Sequence, residues 1–221
     1  MKRLEQILSI ILSLMIVFFI LSSAILLLLH PIFLPLEYHS PNFPDDPYGF
    51  TLEDRLRWSK LSVEYLINES DPSFLGNLKF PDNAPLFNER ELSHMTDVKR
   101  LVQAVILWWC VVTIILVLSF VRAWRIHEFP EWGKALSLGG WLTGGLVLAI
   151  FFAIMVSFNA LFTGFHEIFF SGDTWLFAYS DTLIRLFPMR FWQDAFIAVG
   201  VISLIFSFLT VFIGRKLAKA E

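Results

Sequence analysis

The chain is 221 residues long, 56% hydrophobic and 17% charged, with a formal net charge of −3. Soluble domains hold roughly a quarter charged residues, so the composition argues against a soluble fold. The acidic balance, with no basic stripe, excludes nucleic acid as a partner. The lone cysteine, Cys110, excludes an intrachain disulfide and a thiolate metal cluster.

The first apolar block runs from about residue 7 to residue 29 and follows Lys2 and Arg3, as a signal peptide would. It outlasts the roughly 7–15 apolar residues of a signal peptide and reads as an uncleaved anchor. Residues 30–97 are polar by comparison. Pro31, Pro35, Pro41, Pro44 and Pro47 open this segment and predict an extended or turning start, flanked by solvated His30 and His39. Thr51-Leu-Glu-Asp54 reads as a capping box with aspartate at its third helical position. Leu52, Leu56, Leu61, Val63, Leu66 and Ile67 then recur at near-helical spacing. They predict a helix over 52–68 whose apolar face packs on a bundle or at the membrane surface. Asp71-Pro72 ends it, residues 71–88 read as an irregular loop, and helix resumes at the capping Asn88.

The second block spans 98–121, with Cys110 beside Trp108 and Trp109 as an inert packing thiol. A short segment with Arg122, Arg125, His127 and Lys134 leads to the third block, 136–162, where Gly139, Gly140, Gly144 and Gly145 permit close helix approach. Residues 163–190 mix aromatic side chains with His166, Glu167, Asp173, Asp181 and Arg185, and read as a folded element at the membrane surface. The fourth block, 191–213, is followed by Arg215, Lys216 and Lys219. Each block is long enough to cross a hydrocarbon core of about 30 Å. The basic residues at 2–3, 122–134 and 215–219 place both termini in the cytoplasm and residues 30–97 and 163–190 outside. The first outer loop carries basic residues too, but long loops translocate largely regardless of charge, and this one holds twelve acidic residues between Glu37 and Asp97. Lys99 and Arg100 read as snorkelling anchors. The expected fold is therefore an all-α membrane protein: one integral membrane domain, a four-transmembrane-helix bundle with a larger first and a smaller second extracytoplasmic loop.

Among the five histidines, His94 and His166 stand apart, because both lie at predicted span ends on one side of the membrane. Ionisable groups at membrane depth lean functional, and neutral imidazole is the natural general base at neutral pH. Asp97, three residues after His94, is placed to orient its ring. Ser93, Ser171 and Ser180 sit in no nucleophile motif, and no metal-ligand spacing joins His94, His166, Asp97 and Asp181.

Two stretches carry a resemblance. Glu91-Leu-Ser-His94-Met95-Thr-Asp97-Val98-Lys99 resembles an H-M-x-D-V-K/R motif. Phe165-His166-Glu-Ile-Phe169-Phe170, Trp175 and Asp181-Thr-Leu-Ile184-Arg-Leu-Phe187-Pro188 resemble a second motif of the same four-span family. That family is the lipoprotein intramolecular transacylase of Gram-positive bacteria. The resemblance implies an acyltransferase acting on diacylated lipoproteins in the cell membrane. It would move the sn-2 acyl chain of the diacylglyceryl group to the α-amine of the N-terminal cysteine, leaving a lyso-form lipoprotein, with no cofactor. Carried over by position, His94 and His166 are the catalytic pair at the outer leaflet, and Asp97 and Asp181 support them. Arg185 and Lys99 are candidates to stabilise the ester oxygen. Two other readings of the residues stay open: an interfacial lipid hydrolase, and a non-enzymatic membrane receptor or accessory protein.

Overall fold

The structure, a computed structural model, describes residues 2–219; the side chain of Lys2, used above for orientation, lies outside what it describes. Among the described residues there are eight helices and no strand, only an isolated bridge between Lys79 and Pro85. The helices are α1 (Lys2–Leu28), α2 (Phe33–Tyr38), α3 (Leu52–Ile67), α4 (Ser73–Gly76), α5 (Glu89–Arg125), α6 (Phe129–Phe169), α7 (Thr182–Leu186) and α8 (Met189–Leu217). Four of them, α1, α5, α6 and α8, are long and apolar enough to cross a membrane. The fold is the expected all-α membrane protein.

Backbone contacts divide the chain into two compact units. The first takes in the chain through Leu27, Val105–Val156 and the chain from Ile197; the second comprises Leu28–Ala104 and Ser157–Phe196.

In the first unit, small residues let helices touch. A Cβ on Gly139 would meet the Ile16 side chain at 2.7 Å, and one on Gly140 would meet Thr210 Oγ1 at 2.5 Å. Hydroxyls follow the same seams: Ser13 donates to the Ala135 carbonyl at 3.0 Å and Ser207 to that of Gly140 at 2.6 Å. In lipid, where apolar faces gain little by meeting one another, such packing and hydrogen bonding hold helices together. Gly145, grouped with these glycines from the sequence, faces open space. Leu118, Phe152 and Phe208 are 63–69% exposed and form a lipid-facing surface. Cys110 is also exposed, which corrects its reading as a packing thiol.

The second unit holds a buried core of Trp58, Tyr65, Leu66, Leu75, Leu86, Met95 and Leu186, among others. Local sequence dictates its entry points. Thr51 and Asp54 form the expected capping box of α3, with Asp54 N donating to Thr51 Oγ1 at 3.1 Å and Thr51 N donating to Asp54 Oδ2 at 2.9 Å. Asn88 and Glu91 form another at the start of α5. The proline-rich opening is helical in part, against expectation. Pro35 lies in the first turn of α2, where a backbone N–H has no intrahelical partner to lose.

Helix α6 runs past residue 162, the expected span end, to Phe169. It is broken at Ser157, whose φ of −165° and ψ of 102° are extended. The Ser157 hydroxyl accepts from Ala160 N at 3.2 Å and so caps a fresh helical segment. His166 therefore rides on a capped helix rather than in a loop.

Candidate active site

His94 stands in the second turn of α5, and the capping box at Asn88 and Glu91 fixes where that helix begins. His166 stands in the last turn of α6. Both histidines belong to the second unit, and both are only 8% exposed. Their ring centroids are 6.1 Å apart, with planes inclined by 21°. Residues 72 positions apart in the chain are thus neighbours in one site.

The walls are aromatic. His94 meets Phe170 edge-on at 4.9 Å and Phe177 at 5.4 Å. His166 contacts Phe162 at 4.2 Å, Trp175 at 4.9 Å and Phe170 at 5.5 Å. Polar partners are few. His166 Nδ1 lies 2.8 Å from the Phe162 carbonyl oxygen. A carbonyl only accepts, so Nδ1 carries the proton and Nε2 presents its lone pair. His94 Nδ1 is buried and has no hydrogen-bond partner. Ser93, Ser171 and Ser180 are exposed, and among the described residues no serine hydroxyl bonds either imidazole. The arrangement offers two proton-transfer groups and no serine nucleophile.

The four residues expected to support the pair are engaged elsewhere. Asp97 does not orient His94: its Oδ1 accepts from Arg100 Nη1 at 3.2 Å, one helical turn further on. Asp181 is a turn residue. It accepts from Ala178 N at 2.8 Å and from Asn88 Nδ2 at 3.3 Å, tying the turn before α7 to the start of α5. Lys99 is no snorkelling anchor, being 8% exposed. It donates to Asn68 Oδ1 at 3.0 Å and to the Ser70 carbonyl at 2.5 Å, and lies 4.1 Å from the centre of the Tyr65 ring. Arg185 donates to Asp46 Oδ2 from Nε at 3.1 Å and from Nη2 at 3.0 Å, with its guanidinium 3.5 Å over Phe50. Burial opposes ionisation of Asp46, yet the Phe50 N–H and the Arg185 guanidinium hold its carboxyl below the usual range. Lys99 and Arg185 are latches that fasten the outer segments.

Glu91 was missed as a functional residue. It is 1% exposed, accepting from Asn88 N at 2.8 Å through one oxygen and from Leu183 N at 2.7 Å through the other. It joins the helix of His94 to α7, and the Asn88-x-x-Glu91 spacing was its sequence signal.

The model of the family described as lipoprotein intramolecular transacylase Lit matches residues 8–192. The chain belongs to the lipoprotein intramolecular transacylase family. It is accordingly a membrane-integral acyltransferase. A relative in Aquifex aeolicus, described as an uncharacterized protein, is 29% identical over 192 residues, or 86% of each chain. The in meso structure of the lipoprotein intramolecular transacylase from Bacillus cereus shares the fold, with a TM-score of 0.82. The two are 21% identical, and the match covers 99% of this chain and 98% of that one. A variant of the same transacylase with one histidine replaced by arginine gives a TM-score of 0.76 at 21% identity, covering 99% of this chain and 93% of the other.

Proposed function

We propose that the transacylase moves the sn-2 acyl chain of a diacylated lipoprotein onto the α-amine of the N-terminal cysteine, with His94 and His166 as the proton-transfer pair. The observation that carries this reading is the pair itself: two shielded imidazoles 6.1 Å apart in an aromatic pocket, one with its tautomer fixed.

The substrate amine begins as an ammonium. One imidazole takes a proton from it, and the freed nitrogen attacks the sn-2 ester carbonyl. The tetrahedral intermediate collapses as the C–O bond to glycerol breaks. The nitrogen gives up a second proton to the other imidazole as the amide forms, and that imidazole passes it to the glycerol oxygen while the first releases its proton to solvent. An ammonium and an ester thus become an amide, a hydroxyl and one proton released to solvent. Nucleophile and ester belong to one molecule, so holding them in register supplies much of the rate. General acid–base transfer adds about 10²–10⁴-fold.

The basic residues closing α5 and α8, Arg122, Arg125, Arg215 and Lys216, support cytoplasmic termini and a site at the outer leaflet. Mass spectrometry of lipoprotein N-termini from expressing and deleted cells tests the reaction. The reading requires an O-to-N acyl shift that depends on the gene. Release of free fatty acid would indicate hydrolysis instead, and unchanged N-termini would remove the enzymatic reading.

A further inference from the structure

Acyl transfer to an amine passes through an oxyanion, and that charge needs a hydrogen-bond donor. The two cationic side chains that the sequence offers for this are both committed away from the histidines. Arg185 is clamped on Asp46 and Phe50, and Lys99 on Asn68, Ser70 and Tyr65. His166 Nδ1–H is spent on the Phe162 carbonyl.

One donor beside the pair is left over. The Trp175 indole packs against the His166 imidazole with centroids 4.9 Å apart. Its Nε1 is shielded from solvent and bonds to nothing. An indole nitrogen only donates, and a buried donor without a partner is destabilising. Elsewhere in the chain, Trp109 Nε1 donates to Ser23 Oγ at 2.8 Å and Trp132 Nε1 to Ser119 Oγ at 3.1 Å. Among the described residues Trp175 is the one tryptophan whose Nε1 is buried without a partner, and it lies against a histidine of the pair.

We propose that Trp175 is a further catalytic residue, whose Nε1–H donates to the sn-2 ester carbonyl oxygen and to the oxyanion it becomes. This rests on the acyl-transfer reading above. As the amine nitrogen adds to the carbonyl carbon, the C=O π electrons move onto oxygen, and the indole N–H bond shortens its contact with that charge. They return as the glycerol C–O bond breaks. Trp175 keeps its proton throughout, and the proton transfers run through the histidines. The indole ring also buttresses His166, so one side chain positions both an imidazole of the pair and the ester carbonyl.

The test uses the purified full-length enzyme and a lipopeptide with an S-diacylglyceryl N-terminal cysteine, with the N-acyl product quantified by mass spectrometry. Trp175→Phe keeps an aromatic ring against His166 and removes only the donor. The expected result is a loss in kcat of about 10²–10³-fold, as for removal of a single oxyanion donor, with KM little changed. A folded Trp175→Phe enzyme with kcat within a few-fold of wild type overturns the assignment. A second measurement does not depend on that variant folding. A thiono analogue of the sn-2 ester presents sulfur, a weak acceptor. Relative to the uncatalysed shift, it should slow the wild type strongly, and no extra slowing of the enzyme overturns the proposal. A wild type that transfers no acyl chain would sink the acyl-transfer reading and the Trp175 role with it. An active wild type unaffected by Trp175→Phe sinks the Trp175 role alone.

Discussion

Glu91 is the side chain whose loss should be felt most. It is 1% exposed, and its two oxygens accept backbone N–H groups from Asn88 and Leu183, at 2.8 and 2.7 Å. Replacing it with alanine leaves the buried Leu183 N–H without a partner, while the Asn88 N–H, on an exposed residue, can turn to water. One buried orphaned donor costs about 1–3 kcal/mol, before counting the cavity left behind. For a chain of this length 1 kcal/mol moves the melting temperature by roughly 2–4 °C, which sets a fall of at least about 2 °C for Glu91→Ala. Glu91→Gln keeps one acceptor and points an N–H₂ at the other donor, so it should fall between wild type and alanine. The assay is thermal unfolding in detergent, followed by tryptophan fluorescence. Activity should be lost below the global melt, because Leu183 in α7 and the Asn88 cap of the His94 helix are released together. A Glu91→Ala protein that melts with the wild type would refute the claim that this carboxylate fastens the outer segments.

Arg185→Lys should lose about 1–3 kcal/mol by breaking the two-bond clamp on Asp46 and the stacking on Phe50, yet keep most of its turnover at low temperature. A stable but inactive variant would return Arg185 to the chemistry. Burial first, and then the neighbouring Asp194 carboxylate, push the Glu37 carboxyl up to about 7, with Arg190 acting against them. The folded state thus keeps a proton that the unfolded chain gives up near 4.5, and stability should fall as pH rises from there through 7. Glu37→Gln should melt close to wild type at pH 5 and several degrees above it at pH 8; an offset independent of pH would dismiss the effect. For orientation, in a background with Cys110→Ser, a thiol introduced as Asn77→Cys should react with an impermeant reagent on spheroplasts while Glu131→Cys should not. The reverse pattern would invert the topology.

The membrane plan was legible because long charge-free runs have one economical explanation in water and lipid. Helix α3 was legible because Thr51 and Asp54 bracket its start and the leucines mark its face. The break at Ser157 was not, since the residues on either side are apolar all round and show no change of period. Helix α2 was hidden by a proline that the first helical turn tolerates. The two histidines could be picked out by their position at span ends, and the structure brings them together. Their supposed supporters could not be judged from sequence, because long charged side chains choose partners by tertiary contact. Arg185 finds Asp46 at a separation of 139 residues and Lys99 finds Asn68 at 31. Trp175 was visible as a member of the second motif but with no role attached; its distinguishing feature is a nitrogen that meets nothing.

The central claim is that His94 and His166 act as one unit, and the rate of lyso-lipoprotein formation by His94→Ala, His166→Ala and the double variant tests it most directly. Each single replacement should slow the reaction about 10²–10⁴-fold while the variant still folds, at a melting temperature lowered by the cavity left among the aromatic rings. The double variant should lose far less than the product of the two single losses, because groups that act together fail together. A folded His166→Ala enzyme with near wild-type activity, or losses that multiply, would contradict the account.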